Sequence, residues 1–214
     1  MILKEEVLNR QLEYKATMIK LSYKACETLG LWDGMMGIVV FLFHYIRQKK
    51  DAFCEKIAYE LIVKIQDSIH VDFPINYSYG LTGIGIGIEY LSQQGFVKMD
   101  TDEVLSVFDA MFAEQVQNRK LYLSSQNLID LKRYYSARLD NPKTNKRFFL
   151  IQATKDIDDL VALHKRVSVA FEDTIIEKHF PQGFEIWGLD GHAGKGLALL
   201  CALDARNDSW LKLR

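Results

Sequence analysis

Hydrophobic residues recur at helical spacing in two segments of the chain. In the segment 51–69, the apolar residues that share one side of a helix are Phe53, Ile57, Leu61, Ile62 and Ile65, and charged residues lie opposite them. The segment 100–116 repeats this pattern after a start at Asp100, Thr101 and Asp102, with Glu103 placed for the first turn. Both segments are therefore predicted to be amphipathic helices that bury one face.

Three other windows contain glycines followed by a nearly continuous apolar run. They read LGLWDGMMGIVVFLFHY, NYSYGLTGIGIGIEYL and WGLDGHAGKGLALLCAL, and all 13 glycines of the chain fall in the ranges 30–37, 80–95 and 183–196. The windows superpose as x-G-x-x-G, with the glycine pairs Gly34 and Gly37, Gly80 and Gly83, and Gly191 and Gly194. A motif repeated in this way indicates an internal structural repeat.

Each glycine motif is predicted to begin a helix. Asp33 and Asp190 precede the first glycine of two motifs, where an N-cap residue would stand, and the apolar run behind is typical of a helix buried on all sides. The alternation in GIGIGIEYL also fits a strand, but the glycine register favours a helix. The chain is predicted to be all-α, a single domain over residues 1–214, built of antiparallel hairpins of one inner and one outer helix.

The spacing of the first two motifs points to a further unit. Gly34 and Gly80 are 46 residues apart, and another such step lands near Asn127, in SSQNLIDLKRYYSARL. This segment has no glycine but keeps helical apolar positions, namely Leu128, Leu131, Tyr134, Tyr135 and Leu139. It is interpreted as a degenerate third repeat, and an ordinary core helix fits equally well. A polar loop, NPKTNKRF, and a helical stretch that Pro181 ends then follow.

Composition narrows the classes of function. The chain has 214 residues with 27 Lys and Arg against 28 Asp and Glu, so no positive field draws it to nucleic acid or to an anionic membrane. Its three cysteines, an odd number at long spacing, argue against a disulfide framework and favour a reducing compartment. No signal peptide and no run of about 20 apolar residues is found, so a cytoplasmic protein without a membrane span is expected.

Four segments resemble the lanthionine synthetase C-like (LanC-like) family. They are WDGMMGIVVFL, YGLTGIGIGIEYLSQQGFVKMDTDEVL, LKRYYSARL and GLDGHAGKGLALLCALDARNDSW. The resemblance implies an α/α toroid whose inner helices begin with x-G-x-x-G motifs. About four or five hairpins are the most this length can supply, so a partial or reduced toroid is expected.

Catalytic members of that family add a cysteine thiol across a dehydrated serine or threonine of a peptide, which closes a thioether ring. A zinc ion held by two cysteines and one histidine lowers the pKa of that thiol. The family's ligands stand one or two positions before a first glycine, where this chain has Trp32, Asp33, Ser78, Tyr79, Leu189 and Asp190. None is Cys or His, so the resemblance implies a member that lacks the zinc repeats, and no cofactor is predicted.

Several polar residues are candidates for a site. In a toroid, the residues beside the first glycine of each x-G-x-x-G motif would lie at one rim of a central cavity. The candidate rim residues are therefore Asp33, Tyr79, Asp190 and His192. Helix capping is the competing role for the two aspartates, and their pairing would also permit glycosidase chemistry, which nothing in the spacing selects. His44 is expected to be satisfied at a helix end, and Glu89 and Arg133 either to pair with each other or to reach solvent.

The expected function is that of a non-catalytic peptide-binding or scaffold component in ribosomal-peptide modification of the lanthipeptide type. Its partners would be a peptide substrate or peptide-modifying enzymes, and the open edges of a short helical array would be covered by self-association or by a partner. The alternative is an active thioether-forming cyclase. Its zinc site would be rebuilt from residues such as His192 and Cys201 or supplied by a partner chain.

Overall fold

The computed structural model describes residues 2–70, 73–118, 123–168, 188–189, 191–203, 209–210 and 213. Every regular element among them is helical, which confirms the all-α prediction. The α-helices are α1 (Ile2–Ser22), α2 (Met35–Lys49), α3 (Ala52–Ser68), α4 (Leu81–Gln93), α5 (Thr101–Val104), α6 (Ser106–Asn118), α7 (Ser125–Leu139), α8 (Arg147–Ser168) and α9 (His192–Leu203). No helix in the described part of the chain combines the length and the apolar character that crossing a membrane requires.

The helices form an inner row and an outer layer. In the inner row the contacts run α9 to α2, α2 to α4 and α4 to α7, so the last helix of the chain lies beside the first inner one. In the outer layer α1 packs on α9, α3 on α2 and α8 on α7. Helix α6 lies outside α4 and α7, where the ring of Phe112 is 4.8 Å from that of Tyr134.

Burial follows this division into inner and outer helices. Every residue of α2 from Met35 to Tyr45 is buried, because neighbours cover an inner helix on all sides. The outer helix α3 instead buries Ile57, Leu61 and Ile65 and leaves Phe53 about half exposed. The apolar stripe predicted for α3 is therefore confirmed at Ile57, Leu61 and Ile65. Ile62 is only partly buried, and Phe53 does not belong to the buried face.

The turns that precede α2 and α4 have the same backbone hydrogen bonding. The amide of Met35 donates to the carbonyl of Thr28 at 2.9 Å, and 46 residues later the amide of Leu81 donates to the carbonyl of Pro74 at 3.0 Å. These bonds satisfy amides that a helix N-terminus leaves without an intrahelical partner. The first two glycine windows thus fold into equivalent turns.

Neighbouring turns are also bonded to each other. The amide of Trp32 donates to the carbonyl of Ser78 at 3.1 Å, and the amide of Leu189 donates to the carbonyl of Leu31 at 3.3 Å. A Cβ atom at Gly30 would lie less than 3.0 Å from the Ser78 carbonyl, and one at Gly188 less than 3.0 Å from the Trp32 carbonyl. Glycine is required at these two positions because backbone approaches backbone there.

The predicted N-cap role of Asp33 is wrong. The N-cap of α2 is Gly34, and no side chain caps it. Backbone groups cap the helix instead, because the carbonyls of Thr28 and Leu29 accept hydrogen bonds from the amides of Met35 and Met36. The matching prediction for Asp190 lies outside the described residues.

The segments around α5 to α8 agree in part with the predictions. The side chain of Asp100 accepts from the amide of Asp102 at 2.9 Å and caps α5, as the acidic start indicated. The predicted single helix is broken at Leu105 into α5 and α6. The segment near Asn127 is helix α7, and Ser124 caps it by accepting from the Asn127 amide at 3.1 Å.

Candidate functional site

A groove of about 580 Å³ lies where α4, α7 and α8 meet, and we call it the α4–α7 groove. It is lined by Tyr77, Ile86, Ile129, Lys132, Arg133, Ser136, Ala137, Asp140, Asp158, Val161 and Leu213. Aliphatic side chains alternate in it with two basic and two acidic residues. A volume of this size with an apolar lining and a few polar groups is typical of a ligand site.

Helix α7 forms one wall of the groove because its two faces differ. Leu128, Leu131 and Tyr135, spaced three and four residues apart, are buried against the rest of the fold. The exposed positions Ile129 and Lys132 belong to the opposite face, which lines the groove. The amphipathic pattern of α7 therefore turns its polar side toward the groove.

The two basic residues of this wall are each held by a neighbour. Lys132 forms a 2.5 Å ion pair with Asp158 of α8, and both side chains are about half exposed. Arg133 lies 3.8 Å from Asp130, and its guanidinium sits over the ring of Tyr77, 5.2 Å from the ring centre. Of the two alternatives predicted for Glu89 and Arg133, their mutual pairing is wrong. Arg133 reaches solvent with a half-exposed side chain, whereas Glu89 is buried. An exposed ion pair such as Lys132–Asp158 contributes at most about 1 kcal/mol, so Lys132 can exchange this partner for a charge on a bound ligand.

Ser209, Trp210 and Leu213, near the end of the sequence, lie close to α4 and the turn before it, and we call them the plug residues. Trp210 and Leu213 are buried in the core. The hydroxyl of Tyr77 donates to the carbonyl of Leu213, and the hydroxyls of Tyr90 and Ser209 are 2.9 Å apart. Of the plug residues, Leu213 lines the α4–α7 groove.

His44 belongs to the same hydrogen-bonded group and is completely buried. Its Nε2 lies 2.6 Å from the Tyr90 hydroxyl, and its Nδ1 lies 3.3 Å from Nη2 of Arg47. Because a guanidinium can only donate, Nδ1 accepts and the neutral ring carries its proton on Nε2. The ring also meets Phe96 edge to face, with centres 4.8 Å apart. His44 is thus a satisfied core histidine, as the sequence predicted, but it lies within α2 and not at the end of that helix.

The structure only partly assembles the predicted rim residues. Asp33 and Tyr79 lie half-buried in adjacent turns, where the Asp33 amide donates to the Ser78 carbonyl at 3.2 Å. His192 begins α9, and its Nδ1 is 3.5 Å from Nζ of Lys15 in the outer helix α1. None of these three side chains lines the α4–α7 groove. Asp190 lies outside the described residues.

The cysteines are dispersed over the fold. Cys26 and Cys54 are buried, and burial raises the pKa of both thiols, that of Cys54 to about 12. Cys201 is partly exposed on α9. Among the described residues, no three His, Cys, Asp or Glu side chains form a group that could hold a metal ion.

A buried ion cluster behind the groove wall was missed by the sequence reasoning. Arg138 has no exposed surface, and its guanidinium nitrogens lie 2.6 Å from Asp102, 3.0 Å from Asp109 and 3.6 Å from Glu89. The hydroxyl of Tyr134 donates to Asp109 at 2.8 Å. The cluster joins α4, α5, α6 and α7, so it fixes the helix that forms the groove wall. A signal was present in the sequence, because Asp109 interrupts the apolar run VFDAMF.

The carboxyl groups of this cluster differ in their pKa. Burial raises the pKa of Glu89, and the opposing hydrogen bond from Asn141 does not cancel that effect. Burial also acts to raise the pKa of Asp102. There the hydrogen bonds from Thr144, the Asn145 amide and Arg138 prevail, and the pKa is lowered. The cluster therefore favours a charged Asp102 and disfavours a charged Glu89.

The groove thus combines aliphatic side chains with charged side chains of both signs, and a buried ion cluster supports its wall. Such a surface suits a segment of peptide better than a small uniform ligand, because a peptide offers apolar side chains, backbone carbonyls and charges together. No protein-family model, curated protein or solved structure matches the chain.

Proposed function

We propose that the chain is a LanC-like protein with a reduced number of repeats, which binds peptides in ribosomal-peptide modification without closing thioether rings itself. The stacked glycine turns support the family assignment. The first two lie 46 residues apart, and all three begin inner helices, as the resemblance implies. The observation that carries the peptide-binding role is the α4–α7 groove, which is lined by both aliphatic and charged side chains.

The order of the inner helices is consistent with part of a toroid. Because α9 packs on α2, the closing repeat adjoins the first one, as it would in a ring. Helices α9 and α7 stand at the two ends of the row α9, α2, α4, α7. A complete toroid would place further hairpins between these ends, and here the α4–α7 groove lies beside the α7 end.

The residues at the family's ligand positions do not fit zinc. Zinc in proteins takes thiolate, imidazole or carboxylate ligands, usually four in tetrahedral geometry. The described positions before the first glycines hold Trp32, Asp33, Ser78, Tyr79 and Leu189, which offer a single carboxylate among them. The proposed role is therefore recognition of the peptide, and the ring chemistry belongs to a separate enzyme.

The groove offers three modes of contact to a peptide. Ile86, Ile129 and Val161 can receive an apolar side chain, as in grooves that recognise peptides by alternate anchors. The hydroxyl of Tyr77 is placed to donate to a backbone carbonyl, as it does to that of Leu213. Lys132 and Asp140 can pair with charges on the peptide, which determines its orientation more than its affinity.

The test is binding of the purified chain to an array of immobilised precursor peptides that contain leader and core segments. Ile129→Asp places a charge among the aliphatic residues that line the groove, at a position that is already 44% exposed and therefore tolerant. We expect it to weaken binding at least about tenfold. Val63→Asp on α3, at a position 55% exposed and remote from the groove, is the matched control and should bind like wild type.

Two results would contradict the proposal. If no precursor peptide binds the folded wild-type chain, the peptide-binding role fails. If the chain alone closes thioether rings and carries near-stoichiometric zinc when purified without chelator, it is a cyclase. In that case the alanine variants of His192 and Cys201 identify whether these two residues supply the metal site.

A further inference from the structure

The plug residues run along α4 in a definite direction. Tyr77 precedes the N-terminus of α4 and bonds Leu213, whereas Tyr90 near its C-terminus bonds Ser209. From Ser209 to Leu213, the chain direction is therefore antiparallel to that of α4. Ile86, four residues before Tyr90, belongs to the same side of α4 and lines the groove together with Leu213.

The plug is attached as peptides commonly attach to protein grooves. Two apolar side chains, Trp210 at 1% exposure and Leu213 at 5%, are buried three positions apart. A hydrogen bond to the main chain at Leu213 and one to the side chain of Ser209 fix the two ends. Buried aromatic and leucine anchors with main-chain bonds are a general mode of peptide recognition.

The contact made by Tyr77 carries no selectivity for the plug sequence. Its hydroxyl donates to the carbonyl of Leu213, a group that every peptide possesses. The free part of the groove continues directly from Leu213 to Ile129, Lys132 and Asp158. A foreign peptide with suitable anchors can therefore use the same donor and the same aliphatic side chains of the groove.

We propose that the plug residues are the resident ligand of the peptide site and occupy in cis the place that a peptide partner takes in trans. This inference rests on the proposed peptide-binding function. The ligand class is a short peptide with an aromatic anchor and a leucine-like anchor three positions later. Only residues 204–208 of the sequence separate the plug from α9, and a connection of that length gives an effective concentration on the order of millimolar. Peptides must overcome this competition to bind.

The test uses the full-length chain and a fluorescent synthetic peptide, SWLKLR, which has the sequence of Ser209–Arg214. Leu213→Ala removes one anchor of the plug and leaves the rest of the groove unchanged. We expect this variant to bind the peptide about tenfold more tightly than wild type does. A peptide with serine in place of Trp and of the second Leu is the control for the anchors.

Ser209→Ala serves as a second variant if Leu213→Ala fails to fold, as judged by circular dichroism. It removes only the hydroxyl that meets Tyr90 and keeps both buried anchors, and a gain of about threefold is expected. The proposal is overturned if the folded variant binds the peptide no more tightly than wild type. It is equally overturned if the serine-substituted peptide binds as well as SWLKLR.

Failure of this inference and failure of the proposed function give different results. If precursor peptides bind wild type and the plug variants with equal affinity, the peptide-binding function stands and the competition by the plug is refuted. If the plug variants gain affinity for SWLKLR but no precursor peptide binds any form, the plug inference stands and the function in ribosomal-peptide modification is refuted.

Discussion

The imidazole of His44 and the hydroxyl of Tyr90 lie 2.6 Å apart, and 46 residues separate the two positions, the interval that also separates Gly34 from Gly80. The two residues therefore occupy corresponding positions on adjacent inner helices. When repeated hairpins pack side by side in register, equivalent positions of neighbouring inner helices come into contact. The His44–Tyr90 bond is one such contact, so the repeat in the sequence corresponds to a repeat in the packing. Through Tyr90 the bond also connects α2 to Ser209 of the plug.

Replacement of Tyr90 by phenylalanine tests the importance of this bond. The variant leaves the buried Nε2 donor of His44 without the hydroxyl and should lose about 1–3 kcal/mol in the free energy of unfolding. Urea denaturation followed by circular dichroism measures the loss. Tyr59→Phe, at a position that is 54% exposed, is the matched control and should change stability by less than about 0.5 kcal/mol. Equal effects of the two substitutions would show that the His44–Tyr90 bond contributes nothing.

The second glycine of the motif before α4 should be intolerant of a side chain. A Cβ atom at Gly83 would lie within 3.0 Å of the Tyr77 carbonyl, which is backbone and cannot move without disturbing the turn. We expect Gly83→Ala to lose about 2 kcal/mol or more, although alanine favours the helix. At Gly87 the nearest atoms belong to the flexible side chain of Met36, so Gly87→Ala is the milder comparison. Thermal unfolding of both variants tests the order, and a greater loss for Gly87→Ala would contradict it.

The sequence predicted where the helices of this fold lie along the chain better than it predicted which side chains contact each other between helices. Apolar spacing identified α3 and α7, and the glycine windows identified α2, α4 and α9, because periodicity and backbone close approach are local properties. The partner of Glu89 was not predictable in the same way. Periodicity places Glu89 on a buried helix, but its pairing with Arg138 depends on which helix packs beside α4.

The groove itself could not be predicted from the motifs. The rim residues Asp33 and Tyr79 were nominated by their position beside glycines, and they lie in adjacent turns that are bonded through the backbone. The groove is formed instead by the exposed face of α7, by α8 and by Leu213. Its existence depends on the packing of residues 130 or more positions apart, such as Tyr77 and Leu213, which no local pattern encodes.

The buried ion cluster should be essential to stability. Arg138→Met keeps most of the side-chain volume but leaves Asp102 and Asp109 without their buried cation, and we expect a loss of about 3–5 kcal/mol. Lys132→Met, which breaks the exposed pair with Asp158, is the matched control and should lose less than about 1 kcal/mol. Chemical denaturation of both variants measures the two losses in the free energy of unfolding. Losses of similar size would mean that Arg138 does not offset the buried carboxylates.

Two carboxyl groups of the same cluster should respond to pH in opposite directions. Burial raises the pKa of Glu89, so its contribution to stability is present below the unfolded pKa of about 4 and is lost as pH rises through the higher folded value. Glu89→Gln holds the neutral form. It should therefore be more stable than wild type near pH 7, and this advantage should disappear as pH falls below about 4.

Asp102 provides the comparison. Burial opposes its ionisation, but the hydrogen bonds from Thr144, Asn145 and Arg138 lower its pKa, so its contribution is present above about pH 4 and is lost as pH falls through the lower folded value. Asp102→Asn should therefore be less stable than wild type near pH 7, with a deficit that shrinks on acidification. Denaturation curves at a series of pH values measure both variants against wild type. The assignment of opposite pKa shifts would be contradicted if both variants gained, or both lost, stability relative to wild type near pH 7. The cluster would then disfavour both charges, or favour both.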